Sequence, residues 1–282
     1  YERVPGVVMI AEESTSFGGV TKPVHHGGLG FGFKWNMGWM NDSLRYLALE
    51  PIHRQYHHNE MTFAMVYAYS ENFILPISHD EVVHGKGSMI NKIPQDTWRQ
   101  FATLRAFYSY MWGFPGKKLI FAGCEFGQRS EFNEGNSLEW WVSDLWGHHG
   151  LQRMFKDLNE LYRSHPALWE LDSEPEGFRW INADDASGNT YSWLRTDKDG
   201  KSVAIAVNFS SEPWTRYRLG LPKPGVWKEI FNSDAGVYDG SDAHGNLGQV
   251  EASEDGWNGL PASAIVVVPP LGAVYFEYAG EE

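Results

Sequence analysis

The order of apolar and polar positions divides the chain in two. Up to about residue 165, short unbroken apolar runs alternate with longer segments of helical period. Runs at 7–11, 73–78 and 118–122, with a shorter one at about 31–35, have the length and character of strands buried on both faces, as in a parallel sheet. Residues 41–49 predict a helix with Asn41 as its N-cap and Leu44, Leu47 and Ala48 on one face, and residues 60–70 predict a second. A long helix opens at Pro94-Gln95-Asp96-Thr97 and runs to about Trp112, with Phe101, Leu104, Phe107, Tyr108 and Met111 at helical spacing; another covers about 151–163. Strands alternating with helices predict βα units in a parallel sheet. Four such strands are half of a (β/α)8 barrel, which leaves two open edges.

After Pro166 the pattern changes. From about 178 the helical period is lost, and short alternating segments follow at 190–195, 202–208, 215–219, 226–231, 263–268 and 272–278. Turn sequences such as Lys198-Asp199-Gly200, Pro222-Lys223-Pro224-Gly225 and Asp239-Gly240 separate them. This predicts an antiparallel β-sandwich. The linker-like Asp172-Ser173-Glu174-Pro175-Glu176-Gly177 marks the boundary. The expected organisation is therefore α/β: half of a (β/α)8 barrel over residues 1–170, then an all-β sandwich over 171–282. A chain that opens at Tyr1 and enters a strand almost at once reads as part of something longer.

Composition narrows the function classes. With 23 basic against 36 acidic residues, the net charge of −13 argues against nucleic acid or an anionic membrane as partner. It suits a neutral substrate. Thirteen Trp, thirteen Tyr and sixteen Phe supply a large core and ring faces on which sugars can stack. The single cysteine, Cys124, excludes an intrachain disulfide and fits a reducing, cytoplasmic setting. No uncharged apolar run is long enough to span a membrane.

Two of the apolar runs stop abruptly at acids. Val7-Val8-Met9-Ile10-Ala11 is followed by Glu12-Glu13, and Ile74-Leu75-Pro76-Ile77-Ser78-His79 by Asp80-Glu81. In barrel enzymes the residues just past a strand's carboxyl end carry the chemistry. Two carboxyl groups there suit glycoside chemistry, which places a pair across the scissile bond. A Glu12 flanked by apolar residues would be desolvated, which raises a carboxyl's pKa and lets it donate a proton near neutrality; a structural salt bridge is the competing role. Glu13, one residue on, points elsewhere and serves structure or the rim. Asp80, with His79 beside it, suits contact with sugar hydroxyls or with developing positive charge. His79 and His84 follow a strand at i, i+5, which is not the zinc-protease spacing. The pairs His25-His26, His57-His58 and His148-His149 read as loop or surface histidines. Cys124 has no context that marks an activated thiol.

At these residues the chain resembles the alpha-amylase superfamily and, within it, the glucan-branching family. The resemblance rests on Met9-Ile10-Ala11-Glu12-Glu13-Ser14-Thr15, Phe33-Lys34-Trp35-Asn36-Met37-Gly38-Trp39-Met40, Tyr56-His57-His58-Asn59-Glu60-Met61-Thr62-Phe63, Leu75-Pro76-Ile77-Ser78-His79-Asp80-Glu81-Val82-Val83-His84-Gly85-Lys86 and Gly123-Cys124-Glu125-Phe126-Gly127-Gln128. It extends through Ser164-His165-Pro166-Ala167-Leu168-Trp169 into the final β region. The resemblance implies that Glu12 is the general acid/base at the end of barrel strand five. It implies that Asp80 is the transition-state-stabilising aspartate at the end of strand seven, with His79 the substrate-binding histidine beside it. The superfamily's nucleophilic aspartate and its neighbouring arginine belong to strand four, which has no counterpart in the chain. The implied partners are an α-1,4-glucan and the half of the enzyme that holds the nucleophile. The implied reaction cuts an α-1,4 linkage and forms an α-1,6 linkage with retention, and its chemistry requires neither metal nor organic cofactor. Two other readings share these features: a trehalose-releasing or debranching hydrolase of the same superfamily, and a non-catalytic glucan-binding module.

Overall fold

The computed structural model of the chain describes residues 3–280. Tyr1, Glu2, Glu281 and Glu282, the outermost residues of the two expected domain ranges, lie outside the described residues. The first sheet is parallel and takes its strands in chain order: β1 (Ile10–Ala11), β2 (Phe33–Trp35), β3 (Phe73–Ile77) and β4 (Lys117–Ile120). Each strand pairs in parallel with the next, so every connection is a crossover. The run at 7–11 shrinks to two paired residues. Val8, Met9 and Ile10 are exposed, Met9 by 54%, which corrects the expectation of a buried strand. The reason is its place: β1 pairs only with β2 among the described strands.

Helix α1 (Met37–Leu47) begins earlier than expected. Asn36, not Asn41, is its cap, with the side-chain oxygen accepting the Trp39 N–H at 2.9 Å. Its buried face runs Trp39, Met40, Ser43, Tyr46 and Leu47, so the apolar stripe itself starts four residues before Ser43. A single turn, α2 (Pro51–Arg54), follows. The helix expected over 60–70 is instead two 3₁₀ turns, Gln55–Met61 and Phe63–Val66. Burial of Met61 and Ala64 at i, i+3 fits a 3₁₀ turn as well as an α-helix, so spacing alone does not separate them.

The long helix α3 (Thr97–Gly113) starts at Asp96, whose carboxylate accepts the Arg99 N–H at 3.0 Å. Every residue from Phe101 to Gly113 is buried. A helix apolar on all sides belongs in a core, and α3 lies between the parallel-sheet layer and the β region. The last long helix, α4 (His148–Ser164), buries one face only: Leu151, Met154, Phe155 and Leu158.

The remaining strands are β5 (Phe178–Asn182), β6 (Thr190–Thr196), β7 (Ser202–Asn208), β8 (Trp214–Leu221), β9 (Gly225–Asn232), β10 (Gln249–Ala252), β11 (Ala262–Val268) and β12 (Gly272–Gly280). They form a six-stranded antiparallel sheet in order β10-β9-β12-β7-β6-β5 and a two-stranded sheet β11-β8. Side-chain alternation along the strands splits them between two cores. Leu194, Ala204, Ala206, Val274 and Phe276 meet Leu219 and Val266 of the small sheet. Their neighbours Trp193, Ile205, Val207 and Tyr275 join the core built around α3. With both faces covered, β7 reads as an unbroken apolar run.

Polar contacts fix this second packing. The carbonyl of Gly113, at the end of α3, accepts from Trp193 Nε1 at 2.9 Å and Arg195 Nη1 at 3.1 Å. These satisfy a helix-terminal carbonyl that has no partner within the helix. The Tyr275 hydroxyl donates to the Ser109 carbonyl. Gly113 has no room for a side chain, since a Cβ there would lie 2.6 Å from Ile205 Cδ1. Arg105 is buried in the same helix, donating to the Ser233 carbonyl at 2.9 Å, and burial lowers its pKa to about 10.

The segment expected to be a linker is anchored at its two ends, Asp172 and Gly177, while residues 173–176 between them are exposed. Asp172 is buried, 2.7 Å from Arg195 Nη2 and 2.9 Å from Lys117 Nζ. Burial alone would push this carboxyl up, but Arg195, Lys118 and Lys117 outweigh it and hold it below the ordinary carboxylate value. Asp172→Asn leaves Arg195 buried without its counter-charge, and we expect a loss of about 3 kcal/mol in urea unfolding at pH 7. A carboxyl depressed in the folded state stabilises fully above its unfolded pKa, and the contribution is lost as pH falls through the folded value. The gap between parent and variant should therefore persist from neutrality down to about pH 4 and close below it. A gap that is constant down to pH 2 contradicts this assignment.

Candidate active site

Because β1 to β4 are parallel, the residues that follow them lie along one edge of the sheet. Glu12 comes directly after Ala11, the end of β1, and Asp80 comes three residues after Ile77, the end of β3. Only β2 separates their strands. At two inter-strand spacings the strand ends are about 10 Å apart, within reach of one sugar ring and its neighbour.

Around Asp80 the local fold sorts the acids. Ser78 caps a one-turn 3₁₀ helix, His79–Glu81, by a reciprocal box. Its hydroxyl accepts the Asp80 N–H at 3.3 Å, and the Glu81 carboxylate accepts the Ser78 N–H at 2.5 Å. Glu81 is buried in this structural role. Asp80 and His79 are left facing out, with side chains 53% and 49% exposed and His79 Nε2 3.2 Å from Asp80 Oδ1. The loops after β3 and β4 are tied together: Glu131 accepts the N–H groups of Gly85 at 3.0 Å and Gly87 at 2.7 Å.

Glu12 is exposed, which corrects the expectation of a desolvated carboxyl at the mouth of a buried strand. The apolar residues before it face outward and do not shield it. Glu13 turns away, as expected. Its carboxylate lies 2.6 Å from Lys34 Nζ and accepts the Thr15 N–H at 2.8 Å. The hydrogen bond from Lys34 is the main cause that brings its pKa down to about 2.

Two residues that sequence reasoning passed over hold the loop after Glu12. Lys34, in β2, is only 5% exposed, and its ammonium also donates to the carbonyls of Thr15 at 3.1 Å and Phe17 at 3.2 Å. Glu71, just before β3, accepts the N–H groups of Val20 at 2.8 Å and Thr21 at 2.7 Å. Burial opposes its ionisation, but these bonds and those from the Thr21 hydroxyl and Gly19 prevail and lower its pKa. The legible signal was a lone lysine in an apolar strand and a glutamate at a strand entrance. Beneath this loop lies a cavity of about 570 Å³ lined by Glu13, Phe17, Lys34, Trp35, Asp42 and Tyr67, among others. Neither Glu12 nor Asp80 lines it, so it is not the space in front of the acids.

Cys124 follows β4 in a buried turn, and burial pushes its thiol up to about 12. A thiol reagent at pH 8 should leave it unmodified in the folded chain and label it once after denaturation; full labelling of the folded protein at a free-thiol rate contradicts this. His148 is also structural, with Nδ1 2.7 Å from the Phe126 carbonyl and its pKa lowered by burial. His58 stacks on Tyr191. Among the described residues no three His, Cys, Asp or Glu side chains are grouped as a metal site would need, and no described helix is long and apolar enough to cross a membrane.

Comparison with known proteins fits this arrangement. Residues 180–279 match the family model of the alpha amylase C-terminal all-beta domain. The whole chain superposes on the alpha-amylase from Geobacillus thermoleovorans complexed with acarbose, with a TM-score of 0.64 at 13% identity, covering 100% of this chain and 55% of that one. The alpha-amylase from H. orenii gives a TM-score of 0.59 at 14% identity, covering 99% of this chain and 55% of that one. At such identities the likeness concerns the fold, which is that of the alpha-amylases.

Over almost its whole length the chain matches a part of curated 1,4-alpha-glucan branching enzymes. It is 67% identical over 279 residues to the 1,4-alpha-glucan branching enzyme GlgB of Cutibacterium acnes, covering 99% of this chain and 43% of that protein. Identity is 56% with the GlgB of Frankia casuarinae, over 99% of this chain and 35% of that protein. It is 53% with that of Leifsonia xyli subsp. xyli, over 98% and 38%. The chain thus spans less than half the length of these curated relatives.

Proposed function

We propose that the chain is the carboxyl-terminal portion of a 1,4-alpha-glucan branching enzyme. In this reading residues 1–170 are the second half of a (β/α)8 barrel, strands five to eight, and residues 171–282 are an all-β sandwich that caps it. The exposed apolar edge of β1 supports the first part, because a further strand paired there would cover Val8 and Ile10. The observation that carries the functional reading is the placement of Glu12 and Asp80 on one edge of one parallel sheet, with a single strand between theirs.

The chemistry follows from that placement. An aspartate from the other half of the barrel attacks the anomeric carbon of an α-1,4-glucan. As the C1–O bond breaks, Glu12 gives its proton to the departing oxygen, and a covalent glycosyl-enzyme forms. Glu12, now a carboxylate, takes the proton from the 6-hydroxyl of an acceptor chain, whose oxygen attacks C1 and releases the aspartate. The result is an α-1,6 branch with retained configuration. Asp80 carries the negative charge that favours the oxocarbenium-like transition state, and His79 beside it offers a ring N–H to sugar hydroxyls. Trp140, Trp141 and Trp146, all exposed in the connection after β4, offer ring faces to a glucan chain. Glu12's exposure in this chain is consistent with an acid whose apolar surroundings come from the remaining half. The donor and acceptor are α-1,4-glucan chains, and the step belongs to glycogen synthesis.

The test uses the full-length enzyme that carries this chain, with amylose. Iodine colour should fall while reducing ends stay constant. A rise in reducing ends that tracks the loss of colour would instead make the protein a hydrolase of the same superfamily.

A further inference from the structure

Glu12 has to be held at the right height and angle, yet its surroundings do not hold it by packing. Ser14, Thr15, Ser16, Phe17 and Gly18, like Glu12, are exposed. What ties the segment down is a single buried ammonium. Lys34 Nζ has three N–H groups and three partners: the Glu13 carboxylate at 2.6 Å, the Thr15 carbonyl at 3.1 Å and the Phe17 carbonyl at 3.2 Å. All three lie within five residues after Glu12. Two more bonds close the knot, from the Thr15 N–H to Glu13 Oε1 at 2.8 Å and from the Phe17 N–H to Thr15 Oγ1 at 3.1 Å. Lys34 is itself fixed at both sides, since its backbone is in register with Ala11 of β1 and Phe73 of β3. It therefore sits on the strand between those that present Glu12 and Asp80.

We infer that Lys34 is a positioning residue for Glu12: by gripping residues 13–17 from the central strand, it sets where the acid/base carboxyl stands relative to Asp80 and the sugar. This inference rests on the reading of Glu12 as acid/base. Lys34 touches neither substrate nor reacting atoms, and it acts only through the loop. An ion pair that merely held the fold together would affect all substrates alike, whereas a misplaced acid hurts only leaving groups that need a proton.

The experiment compares two donors in the full-length enzyme. With amylose, the C1–O bond breaks with proton transfer from Glu12 to the leaving oxygen. With an α-maltooligosyl fluoride, the C1–F bond breaks as fluoride departs with the electron pair, and no proton is needed in that step. For Lys34→Met we expect kcat on amylose to fall about 100-fold with KM changed less than about two-fold, as for a reacting group displaced by about 1 Å. First-turnover fluoride release should fall less than about three-fold. Glu13→Gln keeps an acceptor for Lys34 while removing its charge, and should show the same split at about ten-fold; it carries the test if Lys34→Met does not fold. Equal losses on both donors, or no loss on amylose, overturn the positioning role. Glu12→Gln run in parallel separates the two claims: if it retains amylose transfer, the acid/base reading fails whatever Lys34 does.

Discussion

Replacing Glu12 by Gln in the full-length enzyme is expected to lower glucan transfer by about 10²–10⁴-fold, the range supplied by a positioned general acid–base group. Glutamine has nearly the same shape and can still hydrogen-bond to a sugar oxygen, but it can neither donate nor recover a proton. Affinity for the glucan should change by less than about two-fold, because the loss falls on the transition state rather than on the bound chain. Both half-reactions should suffer, since in the proposed mechanism the same carboxyl acts as acid in the first and as base in the second. Initial transfer rates and equilibrium glucan binding check this. Near-normal turnover would mean that the acid after β1 is not the acid/base. A parallel loss of binding would mean that Glu12 holds the substrate instead.

The second large effect concerns the chain by itself. Residues 1–282, purified alone, are expected to leave the iodine colour of amylose unchanged, with transfer at least about 10⁴-fold below that of the full-length enzyme. Removing a nucleophile from an enzyme that works through a covalent intermediate has cost roughly 10⁶-fold elsewhere. In our reading the chain holds acid/base and stabiliser but no residue that matches the superfamily's nucleophilic aspartate. Its two candidate acids lie on strands separated by one other, and the aspartate would come from the strand that covers the free edge of β1. Transfer by the isolated chain within ten-fold of the full-length enzyme would require a nucleophile among these 282 residues.

How much of this was readable in the sequence depended on what each residue is packed against. The strand at 73–77 is buried over most of its length and announced itself as an unbroken apolar run, while those at 202–208 and 272–280 were legible as short segments bounded by turn sequences. Edge elements did not. The short β10 alternates two exposed residues with partly or fully buried ones and carries Gln249 and Glu251. In β5, Arg179 interrupts the apolar signal. Burial of α3 on every side was hidden for a different reason. Its buried Arg105 and Ser109 look like an outward face, but each has a hydrogen-bond partner inside the core. Asp172 misled in the same way, because its charge partners come from β4 and β6, distant in sequence.

At the site, the sequence placed Glu12, His79 and Asp80 beyond strand ends, and the parallel topology brings those ends to one edge. What it could not supply was their environment. An apolar run before Glu12 was taken to mean burial, yet a two-residue strand with one described neighbour leaves that run open. Nor could it separate Glu81 from Asp80. Both follow β3, but the capping box takes Glu81 inward and leaves Asp80 free. Lys34 went unnoticed because its three partners lie in a glycine- and aromatic-rich loop with no periodic pattern.

The linkage that the enzyme makes is the decisive observable. Proton NMR of amylose incubated with the full-length enzyme should show α-1,6 anomeric signals growing while reducing-end signals stay flat, with Glu12→Gln producing no growth of the α-1,6 signals over the same time. Reducing ends that rise without α-1,6 signals, or α-1,6 signals that persist undiminished in Glu12→Gln, would contradict it.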